Sequence, residues 1–129
     1  MKRYSIFLAA VIIINVSYCY EINKSFDGYF SYYNYGGFGA CGNLIDTGSQ
    51  KFAAVSSEWF TAAESANNDP ICAKYLKVEY EGKIVKVPIK DKCFLCDKNH
   101  INLSFPAFRD LENFGNENIK KAIFTFTDC

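Results

Sequence analysis

The sequence has little of what metal-dependent and nucleic-acid-binding proteins need. It contains one histidine, His100, and its 14 basic residues are balanced by 14 acidic ones. Nucleic-acid binders carry a basic stripe that neutralises several phosphates, whereas the Lys and Arg residues here are scattered along the chain. We therefore expect no nucleic-acid partner and no cofactor, and we interpret His100 as a surface loop residue.

Long hydrophobic runs are also scarce, and the longest apolar run lies at the N-terminus. It covers residues 6–14 and follows the basic pair Lys2 and Arg3. The run is well short of the ~20 apolar residues of a bilayer-spanning helix, and small residues precede a cleavage point after Cys19. This pattern is typical of a secretory signal peptide over residues 1–19. We expect a secreted, extracellular protein that has no membrane contact after signal removal.

The remaining chain, 20–129, contains no internal repeat and no low-complexity block. This length suits one modest domain with a core of its own, and we expect a single monomeric domain. The six cysteines of the sequence predict a disulfide framework, because a secreted chain of this size benefits from cross-links. Cleavage after Cys19 would leave an odd cysteine. Cleavage after Ser17 would keep Cys19 and allow it to pair with Cys129.

Short alternating runs predict a mostly β chain. The segment Glu81-Gly82-Lys83, between two such runs, is typical of a hairpin turn. Two short helices are predicted, one from a serine cap at 56 or 57 to residue 63 and one from residue 104 towards 115. Helices this short cannot cover a large parallel sheet, which favours a compact barrel. The predicted strands are 29–33, 51–55, 75–80, 84–89 and 122–127, and residues 34–39 are predicted to be flexible.

Six segments of the chain are specific through their order and spacing. They are Gly28–Tyr33, Gly39-Ala40-Cys41-Gly42, Ala53–Ser57, Cys72–Lys83, Val87–Cys96 and Ile101–Leu111. Together they resemble the expansin-like and rare lipoprotein A-like, barwin-related family, over nearly all of the mature chain. The resemblance implies a six-stranded double-psi β-barrel that is stapled by disulfides, carries two short helices and has an open groove across one face.

The resemblance also implies a bridge between Cys41 and Cys72, which stand where the family places one. Such a cross-link constrains the unfolded chain and stabilises the fold by roughly 3–4 kcal/mol. The Cys93-x-x-Cys96 pair has three interpretations: a local structural bridge, a redox-active pair, or half of a metal site with His100. Secretion favours the structural bridge. A zinc site would need further ligands from distant loops, so we predict no metal.

Catalysis by this chain is not expected, because a proton donor is missing. The family residue that matches Asn102 is usually an aspartate facing the groove, and in related lytic enzymes it donates a proton. An asparagine amide cannot do so near working pH. Asp91 matches a second groove aspartate, yet glycoside hydrolysis normally uses two carboxyl groups, and Asp46 or Glu58 would replace the first only if loops carried one into the groove. A purely structural role for Asp91, as a turn residue bonding backbone N–H groups beside Cys93, stays open.

Our leading hypothesis is a non-catalytic module that binds a cell-wall or matrix polysaccharide in the groove of the barrel. Aromatic side chains stack on the flat faces of sugar rings and leave the polar edge of the ring free for hydrogen bonds. The predicted groove residues are Ser31, Tyr33, Tyr35, Asp91 and Asn102.

The chief alternative is a secreted protein-binding module, either a cysteine-protease inhibitor or a natriuretic-peptide-like signal. Loops on a rigid scaffold carry functions of this kind, and the contact surface would be Asn34–Gly42 and Asn67–Ala73. A third alternative is a degenerate enzyme of the lytic transglycosylase or endoglucanase kind. N-glycosylation acceptors begin at Asn23 and Asn102, and a glycan on Asn102 would fill the groove and exclude a polysaccharide there.

Overall fold

The computed structural model describes residues 22–61, 66–113 and 119–128. The predicted signal peptide over 1–19, and the pairing of Cys19 with Cys129, lie outside these residues. Within the described part of the chain, no helix is long and apolar enough to cross a membrane.

The described residues form a closed barrel of six strands and a separate sheet of two. In chain order the strands are β1 (Ser25–Tyr32), β2 (Gly36–Phe38), β3 (Leu44–Asp46), β4 (Ala53–Ser56), β5 (Lys74–Tyr80), β6 (Lys83–Cys93), β7 (His100–Leu103) and β8 (Lys120–Asp128). The barrel order is β1-β7-β4-β6-β5-β8, and β2 pairs with β3. Strand pairs β1–β7 and β4–β6 are parallel, and the others are antiparallel. The prediction of a mostly β, six-stranded barrel is confirmed.

Alternation along the strands fills the interior of this barrel. On β5, Leu76, Val78 and Tyr80 are buried, and the residues between them are partly exposed. Strand β4 differs, since all four of its residues are buried, as expected for a strand with neighbours on both edges and covered faces. Burial of each large apolar side chain stabilises the fold by about 1.5–3 kcal/mol. The largest buried rings are Phe30, Phe52, Phe108, Phe124 and Phe126.

Two disulfides join cysteines among the described residues. Cys41 is joined to Cys72, and Cys93 is joined to Cys96, with Cα–Cα distances of 5.5 and 5.4 Å. The first bridge links two loops that are 31 residues apart in sequence. The second closes a loop with two intervening residues at the end of β6.

The prediction of two short helices is wrong in one case. Residues Phe105–Arg109 form the α-helix α1, but in the other segment the described residues 56–61 contain a single 3₁₀ turn over Ser57–Trp59, capped by the Ser56 hydroxyl. The chain extends at Phe60, because the Trp59 ring is buried and its Nε1 donates to the Lys98 carbonyl at 2.6 Å. Tertiary burial of one tryptophan therefore overrides the local helical signal.

Three strands, β2, β3 and β7, occur where the sequence did not predict them. Strand β2 lies within the segment 34–39, which was predicted to be flexible, and pairs with β3 from Gly36 to Phe38. Strand β7 covers His100–Leu103, and it starts immediately after a turn in which the His100 amide donates to the Asp97 carbonyl. His100 is therefore a half-buried strand residue, and its assignment to a surface loop is wrong.

The turn between β5 and β6 gives the first testable prediction. Glu81 and Gly82 both have positive φ, 48° and 77°, as in a type I′ turn, which favours Asn-Gly. A Cβ at Gly82 would meet nothing within 4 Å, so Gly82→Ala should cost only backbone strain, about 1–2 kcal/mol of unfolding free energy. Glu81→Asn should instead raise that free energy slightly. Urea unfolding followed by Trp59 fluorescence measures both, and equal stability of the two variants would contradict this turn geometry.

Candidate functional site

Three of the five predicted groove residues lie in one row across four strands. Ser31 on β1 is in register with Asn102 on β7, and Asn102 is in register with Ala54 on β4. Ala54 is in turn in register with Asp91 on β6. Ala54 is itself only 1% exposed, so the row is closed to solvent at this position.

The Asp91 carboxylate holds three hydrogen-bond donors. The Tyr33 hydroxyl donates to Oδ2 at 2.9 Å, and the backbone N–H groups of Ala40 and Lys92 donate to Oδ1, both at 2.9 Å. Burial raises the pKa of Tyr33, and the neighbouring Asp91 charge raises it further. The phenol is therefore neutral and donates to a carboxylate, and Asp91 ties the end of β1, the β2–β3 loop and β6 together.

The β2–β3 loop packs directly onto β6 beside this carboxylate. The Cys41 amide donates to the Lys90 carbonyl at 3.2 Å, and a Cβ at Gly39 would come within 2.5 Å of the same carbonyl oxygen. Only glycine allows an approach this close. The Cys41–Cys72 bridge then fixes the loop to a 3₁₀ turn over Pro70–Ala73.

Ser31 and Asn102 form a second hydrogen-bonded group with His100. The Ser31 hydroxyl donates to Asn102 Oδ1 at 2.7 Å and lies 2.8 Å from His100 Nε2. A serine hydroxyl has a single proton, so His100 must supply the hydrogen of the second bond, which places its proton on Nε2. The Asn102 amide nitrogen donates to Cys93 Sγ at 3.4 Å. The polar atoms of this group are thus used within the protein.

Tyr35 does not lie in the row, and its assignment to the groove is not supported by its bonds. Its amide donates to Thr47 Oγ1, and its hydroxyl donates to the Phe38 carbonyl, both at 2.9 Å. Thr47 is fully buried. Tyr35 therefore closes the base of the β2–β3 hairpin. The sheet of this hairpin is separate from the barrel.

Sequence reasoning missed the two most exposed large apolar residues of the described chain. Leu95 is 99% exposed and Phe94 is 75% exposed, and both lie inside the Cys93–Cys96 loop. A signal was present, because a two-residue loop closed by a disulfide is too small to bury its own side chains. Phe38 and Leu44, which face each other on β2 and β3, are exposed by 71% and 68%.

Cys93 and Cys96 are joined by a local disulfide, which agrees with both the structural and the redox-active interpretation. Among the residues that the structure describes, no group of three or more His, Cys, Asp or Glu side chains could hold a metal ion. Asp46 bonds the Gly48 amide and the Ser49 hydroxyl, so it acts as a turn residue of the hairpin region.

Tyr33→Phe tests the role of the Asp91 carboxylate. Loss of a hydrogen bond to a charged group should lower the unfolding free energy near neutral pH by about 1–3 kcal/mol. The folded-state pKa of Tyr33 lies above its ordinary value of 10.0, so the hydroxyl contributes fully below pH 10 and progressively less above it. The difference in unfolding free energy between wild type and Tyr33→Phe should therefore become smaller as the pH rises past 10. Urea unfolding at several pH values measures this difference.

Tyr35→Phe is the control for this experiment, because its hydroxyl donates to a backbone carbonyl instead of a carboxylate. A Tyr33→Phe gap that stays constant across the whole pH range would contradict the proposed pairing of Tyr33 with Asp91.

Sequence comparison identifies two curated proteins that are similar to this chain. No protein-family model matches the chain. It is 42% identical over 91 residues to a papain inhibitor of Streptomyces mobaraensis, a match that covers 70% of this chain and 63% of the relative. It is 37% identical over 79 residues to an Asp f 7 allergen homolog of Arthroderma benhamiae, covering 61% of this chain and 27% of that protein. The chain thus spans less than two thirds of the length of these curated relatives.

Solved structures extend the comparison to the fold. The Streptomyces papain inhibitor superposes with a TM-score of 0.78 at 36% identity, and the match covers 82% of this chain and 96% of that one. A mutant expansin of Clavibacter michiganensis, solved with cellohexaose, has a TM-score of 0.65 at 24% identity, covering 81% and 50%. At that identity the likeness shows the fold alone.

The expected family is therefore corrected in its finer part. The expansin-like barrel is present, but the homology is to an inhibitor. Relatedness to an inhibitor also supports the expectation that this protein is not an enzyme. On the strength of 36% identity along 96% of a solved relative, the chain belongs to the family of the Streptomyces papain inhibitor and has its double-psi β-barrel fold.

Proposed function

We propose that this protein is a protein-binding module that inhibits papain-like cysteine proteases. The observation that carries the proposal is the family relationship, with 36% identity along 96% of the solved Streptomyces papain inhibitor. This assignment replaces polysaccharide binding as the leading hypothesis and selects the protease inhibitor among the protein-binding alternatives.

The geometry of the loops supports a protein-binding role. The two loops expected to form the contact surface, Asn34–Gly42 and Asn67–Ala73, are cross-linked by the Cys41–Cys72 bridge. A Cβ at Gly42 would come within 3.0 Å of the Asn67 Cβ, so the two loops also pack against each other. Loops held in this way lose little conformational entropy on binding.

Polysaccharide binding in the groove has weaker support. The side chains that were expected to meet a sugar are bonded to one another or to the backbone, because Tyr33 donates to Asp91 and Ser31 donates to Asn102. A sugar that competed for these atoms would exchange one hydrogen bond for another, which contributes little net free energy. The expansin solved with cellohexaose is 24% identical, which supports the shared fold only.

Secretion remains part of the proposal. Both disulfides of the described residues are typical of an oxidising compartment, and the basic, then apolar, N-terminus is typical of a signal peptide. The proposed site of action is therefore extracellular, where secreted proteases act.

An inhibition assay beside a polysaccharide pull-down tests this proposal. The secreted chain should inhibit papain with an inhibition constant below about 1 μM, and it should not be retained on insoluble polysaccharide. Papain should be activated with a thiol and then freed from it before mixing, since free thiolates exchange with disulfides. Retention on polysaccharide without inhibition of papain would overturn the proposal.

A further inference from the structure

We infer that the Cys93–Cys96 loop is the element that enters the cleft of the protease, with the side chains of Phe94 and Leu95 as a paired apolar wedge. This inference rests on the proposed function. It moves the element that enters the cleft from the loops Asn34–Gly42 and Asn67–Ala73 to the Cys93–Cys96 loop. The partner that binds this loop is a papain-like cysteine protease whose cleft contains an apolar pocket.

The exposure of the two side chains is the first argument. Leu95 is 99% exposed and Phe94 is 75% exposed, and they are adjacent in sequence at the tip of one loop. Single exposed apolar residues are ordinary on a protein surface. Two adjacent ones on a short projecting loop can both enter one partner, and apolar anchors that fill a pocket of the partner dominate binding energy.

The second argument is that hydrogen bonds from the barrel strands hold the base of the loop. Cys93 is in register with Ser56 on β4, and the buried Ser56 hydroxyl donates to the Cys96 carbonyl at 3.1 Å. The Asn102 amide donates to Cys93 Sγ from the neighbouring strand β7. The loop is thus anchored on the closed barrel through both of its cysteines, so that it needs little ordering on binding.

Charged side chains flank the loop on both sides. Lys92 Nζ lies 5.3 Å from the centroid of the Phe94 ring and 4.6 Å from that of Phe60. Lys98 is exposed just beyond Cys96 and lies over the Trp59 ring. The exposed Asp97 lies between Cys96 and Lys98 in the sequence, so charges of both signs border the apolar side chains of the loop.

The shape of the loop excludes binding as an ordinary extended substrate. The Cα atoms of Cys93 and Cys96 are 5.4 Å apart, whereas an extended chain over the same three steps would span about 10 Å. The bond between Phe94 and Leu95 therefore cannot lie straight along the cleft. We expect the side chains to fill the pocket while this bond stays intact, so that mass spectrometry after long incubation shows no hydrolysis there.

Serine substitutions at the loop test the inference. Phe94→Ser and Leu95→Ser should each raise the inhibition constant for papain at least about tenfold, and the double variant on the order of 100-fold or more, because each loses the burial of one large apolar side chain. Ile84→Ser is the matched control, since Ile84 is 61% exposed on the same strand at the end far from Cys93. The control should inhibit papain as the wild type does.

The competing apolar pair is tested in the same series. Phe38→Ser combined with Leu44→Ser removes the exposed pair on the β2–β3 hairpin, and it should change the inhibition constant less than the loop variants do. If the hairpin variant abolishes inhibition while Phe94→Ser and Leu95→Ser inhibit normally, the inference is overturned and the proposed function stands. If the wild type does not inhibit papain at all, both are overturned.

Opening the ring tests the role of rigidity. Cys93→Ala combined with Cys96→Ala keeps both apolar side chains but removes the cross-link. This variant should still unfold cooperatively, since the Cys41–Cys72 bridge and the barrel remain, and it should inhibit papain about tenfold more weakly because the loop must be ordered on binding. Unchanged inhibition by a folded double variant would show that the cross-link plays no part.

Discussion

The carboxylate of Asp91 joins parts of the structure that the barrel alone would leave independent. It accepts hydrogen bonds from the Tyr33 hydroxyl after β1, from the Ala40 amide in the β2–β3 loop and from the Lys92 amide on β6. Hydrogen bonds to a charged carboxylate are stronger than neutral ones, and each donor that it holds is fixed in place. The orientation of the hairpin, and the path of β6 into the Cys93–Cys96 loop, both depend on this anchor.

Asn102 connects the polar row of the barrel to the Cys93–Cys96 loop by hydrogen bonds. Asn102 accepts from Ser31 and donates to Cys93, so the polar row across the barrel is connected to the base of the disulfide loop. The side chains of the row bond one another and the backbone, and the loop beyond it presents two apolar side chains to solvent. Binding free energy is therefore available at the loop, where apolar surface can be buried, more than in the groove.

The sequence predicted the barrel better than it predicted the site. Periodicity identified the β5–β6 hairpin, because Leu76, Val78 and Tyr80 alternate with exposed neighbours. It failed at Trp59, whose burial limits the expected helix to one 3₁₀ turn, and at His100, where a preceding turn starts a short strand. Local pattern carries no information about which distant carbonyl a side chain will meet, and such a contact decided the case of Trp59.

The sequence predicted the position of some site residues but not the contacts that they make. The resemblance of motifs brought Ser31, Asp91 and Asn102 together, and they do share one row, but it could not say that their polar atoms bond one another. Tyr35 was placed by its aromatic character alone, whereas its hydroxyl closes a hairpin. Phe94 and Leu95 were overlooked because alternation describes strands and says nothing of a ring formed by a disulfide.

The structure of a complex with papain tests the central claim most directly. The account predicts that Phe94 and Leu95 are buried in the protease cleft, while the Ser31–Asn102 and Tyr33–Asp91 hydrogen bonds persist as they are in the free protein. A complex in which the cleft is filled by the β2–β3 hairpin, or in which the polar row opens to contact the protease while Leu95 stays in solvent, would contradict it.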